Sequence, residues 1–434
     1  MKSSRYNSYL YIILVTILFC SIPGEVTADN LLGNAIPIAI VPELNEEYAK
    51  SVYNSENQEY LVVWMNDRLG VNACDDIQAQ RISRDGALVG PSFFIAWAED
   101  CLADPVENRN PDVVYNDVIN KYLVVWEQNE NAIKGRFISP DGTLIGSKDI
   151  AIFESDFGII GSKTPSVGYA SESNSFLVVW QGELSTAPID YPIMGQILNS
   201  SGEKINDFFY VDRETGGETE STKREYPNLI YNEFLERFLI VWQEDDDEDD
   251  IYEIFGRLVW WDGDFDPFEK FQISDDPINT SLSPSAASIP SGVMDEKFLV
   301  VWQAYNFDID GRFVDGDGNL DPVIHYEDRS DIWVSSPIIS GSKSSKQFFL
   351  SWANGSSPSV YGQYLSMNGT PIRDIIKMDD PFGMQAPKVY DTVAGSFGDF
   401  LVVWGDMFDR EGYISNDIYG QIIGLRIYLP LILN

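Results

Sequence analysis

Chemistry in a protein is usually announced by histidines, paired carboxylates, cysteines or a nucleophile at a telling spacing. This chain holds one histidine, His325, in "IHYEDRSD". A lone histidine cannot build the usual histidine-rich metal site. No nucleophile-elbow motif stands beside it to complete a serine hydrolase. The S-x-D-x-G-x-T-W boxes of sialidases do not occur. Carboxylates are abundant, with 68 Asp and Glu against 29 Lys and Arg and a net charge of −39. Among so many, some pair always lies at the separation that glycoside hydrolysis needs, so abundance alone has no specificity.

Two stretches are more particular. "DGDGNLDP" sets Asp315, Asp317, Asn319 and Asp321 at alternate positions, and "DGDFDP" does the same with Asp262, Asp264 and Asp266. Alternating oxygen side chains around a glycine turn suit Ca2+. Neither stretch has the twelfth-position Glu of an EF-hand, and Asp and Gly are also ordinary turn residues. Calcium is the one cofactor the sequence raises, and none is required.

The elements that must carry these residues are written as a repeat. The tetrapeptide LVVW, or a close variant, ends at Trp64, Trp126, Trp180, Trp242, Trp302, Trp352 and Trp404. A second phrase follows each time, as in "IKGRFI" from Ile133, "IMGQIL" from Ile193 and "IYGQII" from Ile418. A recurring phrase is the mark of a repeat architecture. Each unit parses into four short runs rich in β-branched and aromatic residues, bounded by Gly, Pro, Asn and Asp. Gly86, Gly142, Gly202, Gly263, Gly318 and Gly369 sit in the third-to-fourth turn, five of them after Asp or Asn. The glycine inside the third strand (Gly135, Gly195, Gly256, Gly311, Gly362, Gly420) marks a close approach, and a neighbouring Trp lying over it is the expected cause.

Seven such units predict an all-β, seven-bladed β-propeller of four-stranded antiparallel blades over residues 29–424. The chain ends favour a ring over an open stack. The seventh unit stops after its third strand. The missing fourth strand appears at the other end, where "NLLGNAIPIAI" parallels "GTLIGSKDIAI". The N-terminal strand should therefore complete the last blade and remove the sheet edges that invite aggregation. The phrase LVVW…I-x-G-[RQ]…D-G resembles the repeat of secreted bacterial β-propeller proteins, many of unknown function. That resemblance implies a scaffold for binding and supplies no catalytic residue.

Residues 1–28 read as a secretory signal peptide. Lys2 and Arg5 precede an apolar run from Tyr9 to Ile22, and Val26-Thr27-Ala28 is a small-residue cleavage site. A secreted, extracellular protein is expected, without a transmembrane segment after cleavage. Residues 425–434, "RIYLPLILN" with the preceding Leu, form a short apolar tail. It resembles tails on some secreted bacterial proteins and equally suits a strand packed on the ring.

The charge balance repels nucleic acid and anionic membranes, so partners should be neutral or cationic, glycan or protein. The second-to-third and fourth-to-first loops share one face and carry most of the acids. The densest run is "EDDDEDD". Asp245, Asp246, Asp247, Asp249 and Asp250 in it are candidate ligand residues, against the ordinary reading of a solvated charge run. The expected function is a monomeric, non-enzymatic binding or adhesion scaffold that uses this acidic face. The alternative is a carbohydrate-active hydrolase using carboxylates there.

Cys74 and Cys101 remain after the leader. An even count in a secreted chain suggests a disulfide, and both fall on that same face. Tying off this loop should be worth roughly 3–4 kcal/mol on the chain-entropy model. Thiol labelling of native secreted protein without reductant should therefore find neither cysteine reactive. Two labelled thiols would exclude the bridge.

Overall fold

The run Tyr122–Trp126 shows why the repeat phrase is apolar throughout rather than alternating. All five side chains are buried, because the second strand of each sheet is covered on both faces by neighbouring sheets. The computed structural model describes residues 33–424 except 42–43, 68–73, 98–104, 156–157, 187–188, 214–220, 246–249, 266–268, 277–278, 291–295, 306–307, 328–333, 356–357, 379–383, 385 and 411–412. The leader, the tail, Cys101, Asp246, Asp247, Asp249 and Asp266 lie outside the described residues.

Among the described residues, the strands form seven antiparallel groups of four. The first runs through Asn45–Asn54, Glu59–Asp67, Cys74–Ser83 and Leu88–Ala96, and the second through Val106–Asn116, Lys121–Gln128, Ala132–Ile138 and Leu144–Glu154. A short parallel bridge, Cys74 to Val106 and Asp75 to Glu107, links these two into one eight-stranded sheet. In the fourth and sixth sheets the outer strand shrinks to Phe271–Gln272 and Ile376–Lys377. Among the described residues, the core is divided into seven apolar clusters, each shared by two adjacent sheets. The inner strands pack side by side around a channel, and Asn45–Asn54 touches both Val106–Asn116 and Lys388–Ala394.

The ring closes as the chain ends predict. Ile36–Ala39 pairs with Tyr413–Ile423, with Ile36 opposite Gly420 and Ala39 opposite Ile418. The third-to-fourth turns are also as expected. All six of their glycines are left-handed, with φ between 78° and 91°, which closes the hairpin without a Cβ clash.

The reading of the mid-strand glycines needs correction. The side chains that a Cβ there would meet include Ile152 and Leu123 at Gly135, Phe209 at Gly195, Tyr326 at Gly311 and Ile38 at Gly420, not tryptophan. In the register, Trp126 stands opposite Lys134, one place from Gly135. The glycine makes room mainly for the large residue of the fourth strand. The tryptophans are nonetheless packing residues, and Trp126 is wholly buried with its Nε1 donating to Asn108 Oδ1 at 3.0 Å.

Closure generates a prediction. Deleting residues 29–41 uncovers the edge of Tyr413–Ile423 and strips Ile36 and Ile38 from the cluster they share with Trp64 and Leu401. The truncated chain should aggregate and melt at lower temperature in size-exclusion and thermal-unfolding measurements. A monomer with an unchanged melting temperature would show that the strand is dispensable.

Candidate functional site at the channel mouth

Every inner strand carries a β-bulge near its start. Register slips between Glu47 and Lys50, Arg109 and Asp112, Lys163 and Ser166, Glu225 and Asn228, Leu282 and Ser285, Ser335 and Ile338, and Val389 and Asp391. Six of these bulges hold a left-handed non-glycine residue: Tyr48 (φ 54°), Asn110 (48°), Thr164 (46°), Tyr226 (52°), Ser283 (53°) and Ser336 (49°). Pro111, Pro165, Pro227, Pro284 and Pro337 follow five of them. A residue before proline is pushed toward extended backbone, and positive φ is worst for a β-branched residue such as Thr164. Each such position costs about 1–3 kcal/mol and persists only where the surroundings impose it.

The preceding sheet does the imposing. The residue after the repeat tryptophan reaches across the junction to the bulge of the next sheet. Glu127 Oε2 accepts the Thr164 amide at 2.8 Å, and Gln243 Oε1 accepts the Ser283 amide at 3.0 Å. Just past the bulge a second polar side chain reaches over as well. Asp112 Oδ2 accepts the Val167 amide at 2.8 Å, Asn228 Oδ1 the Ala286 amide at 3.1 Å, and Asp391 Oδ2 the Ser51 amide at 2.7 Å.

The bulged residues stand at the waist of the channel. Tyr48, Asn110, Thr164 and Tyr226 line both an outer mouth of about 580 Å³ and an inner chamber of about 780 Å³. The mouth opens on the face of the second-to-third and fourth-to-first loops. Seven carboxylates and three cations line it. Arg109 contacts Asp75, Glu107 at 3.2 Å and Glu130 at 3.7 Å, while Lys163 holds Glu130 at 2.7 Å. Tyr48 and Tyr226 are 40% and 56% exposed, so two aromatic faces stay open there. Burial, then Glu47 and Tyr226, raises the Tyr48 phenol above its ordinary pKa.

The residues singled out in the sequence are distributed differently. Asp245 is wholly buried, with Lys223 Nζ 3.5 Å away, and so is not an open ligand residue. Asp250 is exposed, and Lys223 lies 3.7 Å from it. Glu244, the first residue of the EDDDEDD run, sits with Asp212 in a buried network. Arg224 pairs with Asp212 at 2.6 Å and Asp190 at 2.9 Å, and Lys270 pairs with Glu244 at 2.7 Å and Asp212 at 3.1 Å.

The calcium candidates are engaged within their turns. Asp315 accepts the amides of Asp317 and Asn319 at 2.9 and 2.8 Å, and Asp321 holds Lys297 at 2.7 Å. Asp262 accepts the Asp264 amide at 3.2 Å. Among the described residues no group of three His, Cys, Asp or Glu is placed to hold a metal ion. His325 is exposed, with Nδ1 2.6 Å from Asp310. Cys74 opens the third strand of the first sheet and is buried. The bulges were missed in the sequence, although the recurring Pro and the Glu or Gln after Trp were visible signals.

Glu127 allows a test. Burial raises its pKa above the ordinary carboxylate value, and hydrogen bonds from Asn110 and Thr164 offset part of that shift. A carboxyl with a raised folded pKa favours the folded state most while protonated, and its contribution falls as pH rises through that pKa. Glu127→Gln keeps an acceptor for the Thr164 amide, as Gln243 does for Ser283. Its melting temperature should match the wild type in mild acid and exceed it increasingly toward neutral pH. A gap that closes as pH rises would contradict this reading of the bulge support.

No protein-family model matches the chain, and no curated protein matches it. Solved structures do. A protein of unknown function from Dyadobacter fermentans aligns at 10% identity and TM-score 0.53, over 91% of this chain and 98% of its own. An α-L-arabinanase from Penicillium chrysogenum, solved with arabinobiose, aligns at 12% identity and TM-score 0.53, over 78% and 99%. An α-L-arabinofuranosidase from Fusarium graminearum aligns at 12% identity and TM-score 0.51, over the same shares. At these identities the likeness concerns architecture alone, and that architecture, shared with the ring of four-stranded sheets described above, is the β-propeller.

Proposed function

We propose that this chain is an exported propeller of the bacterial repeat type, acting as a monomeric, non-enzymatic binding or adhesion scaffold. Its ligand is a neutral or cationic glycan or protein segment held at the channel mouth. The observation that carries this reading is the ring of strained, bulged residues at the waist. Strain kept at six equivalent positions, two of them presenting open tyrosine rings, supports a built recognition surface. The tyrosines offer flat apolar faces, and the carboxylates beside them accept hydrogen bonds from hydroxyl or ammonium groups. Glu127, a mouth carboxyl whose pKa burial raises, is occupied in supporting a bulge, which favours binding over acid catalysis at that group.

The test is a glycan array and a panel of basic proteins at low and high salt, with wild type and Tyr48→Ala/Tyr226→Ala. The double variant should keep its melting temperature and lose binding about tenfold or more, as truncation of buried aromatic anchors does. Any glycan hit is then assayed for hydrolysis. Product release abolished by a single carboxylate substitution at the mouth would replace the scaffold reading with a hydrolase.

A further inference from the structure

The inner chamber differs in chemistry from the mouth. Its charged lining is Lys50, Asp112, Lys388 and Asp391. Formally these balance, but their hydrogen-bonding capacity does not. Both carboxylates are turned into the wall. Asp391 accepts the Ser51 amide and hydroxyl, each at 2.7 Å, and Asp112 accepts the Val167 amide at 2.8 Å and the Ser166 hydroxyl at 3.0 Å. The two ammonium groups have no such anchorage. Among the described residues, neither Lys50 nor Lys388 has a carboxylate within salt-bridge distance.

Lys388 instead lies beside two aromatic rings, its Nζ 5.6 Å from the Tyr48 ring centroid and 5.9 Å from that of Tyr390. It lines the chamber, and burial lowers its pKa, with Glu47 opposing and Lys50 adding to the shift. The two lysines line the same chamber, one from the first inner strand and one from the seventh. Two cations in one chamber, with Asp112 and Glu47 felt only at a distance and no carboxylate in direct contact, suit an anion, and an ammonium is a good point donor to oxyanions.

We propose that the chamber inside the seven inner strands is an oxyanion site, with Lys50 and Lys388 binding the carboxylate of a sugar acid or a phosphate group. It lies beyond the waist residues that it shares with the mouth and takes a ligand group of opposite charge. The anion accepts hydrogen bonds from both ammonium groups, while Asp112 and Asp391 continue to tie adjacent sheets together.

The experiment uses the full chain at low ionic strength, with sodium glucuronate, inorganic phosphate, glucose, and chloride at matched ionic strength. Acetylation of Lys50 and Lys388 is followed by peptide mass spectrometry, and melting temperature is measured in parallel. Glucuronate, phosphate or both should protect the two lysines and raise the melting temperature, while glucose and chloride do neither. Protection by one anion alone identifies the source of the oxyanion. Lys388→Gln should weaken the effective anion about tenfold, the loss of one charged hydrogen bond, and Lys388→Arg should retain it.

If Lys388→Gln does not fold, protection in the wild type still decides the matter. Glu183→Gln, at a carboxylate that lines the mouth and not the chamber, should leave chamber binding intact, so failure here and failure of the mouth reading are told apart. Equal acetylation of both lysines with either anion and with chloride, together with no anion-specific thermal shift, would overturn the proposal.

Discussion

The pairing of Ile36–Ala39 with Tyr413–Ile423 is the constraint on which the rest of the molecule depends. Each four-stranded sheet is apolar on both faces and has no stable existence alone. It needs a neighbour on either side, and the last neighbour must come from the other end of the chain. At that junction Tyr60, Val62 and Trp64 pack with Leu401, Val403 and Ile418. The Tyr60 hydroxyl donates to Asp399 at 2.8 Å. Contacts between residues more than 300 positions apart require costly loop closure before they repay it. Folding should therefore complete late, when the ends meet.

The channel inherits its shape from that closure. The bulges are not local preferences, since proline after a left-handed residue works against them. They are held by hydrogen bonds from the preceding sheet, such as Glu127 to Thr164, and by the reach of Asp112, Asn228 and Asp391 toward the sheet that follows. The Asp391 bond to Ser51 joins the seventh sheet to the first, so this chain of supports passes through the closing junction. A ring under mutual support of this kind holds its waist residues in one geometry, which lowers the ordering cost of binding there.

The repeat made much of this legible. Buried second strands read as LVVW, turns read as Asp-Gly or Asn-Gly, and the displaced fourth strand "NLLGNAIPIAI" parallels "GTLIGSKDIAI". The partner of the mid-strand glycine was misread because sequence spacing does not tell which of two flanking strands supplies the large side chain. The shrunken outer strands of the fourth and sixth sheets were not foreseen, since an outer edge needs few hydrogen bonds once both faces are covered. The bulges escaped because a proline near a strand start reads equally as an ordinary strand boundary. The site was therefore less legible than the fold: which face opens could be read from strand order, but which acids remain open on it could not.

That last point alters what the net charge of −39 means for recognition. Counting acids suggested a bare anionic patch around Glu244 to Asp250. Glu244 instead accepts the Trp242 indole at 2.7 Å and shares Arg224 and Lys270 with Asp212. Such a buried network adds little net stability, because desolvation offsets the attraction, but it would be costly to break on one side only. Its charge is spent inside the fold and is screened from any ligand. At the mouth, by contrast, the carboxylates outnumber the cations and lie beside two open tyrosine rings. The field a partner meets is set by that local surplus and by the lysines deeper in the channel, not by the total. A strongly acidic chain can in this way present a mildly acidic mouth above a chamber whose uncommitted donors are cationic.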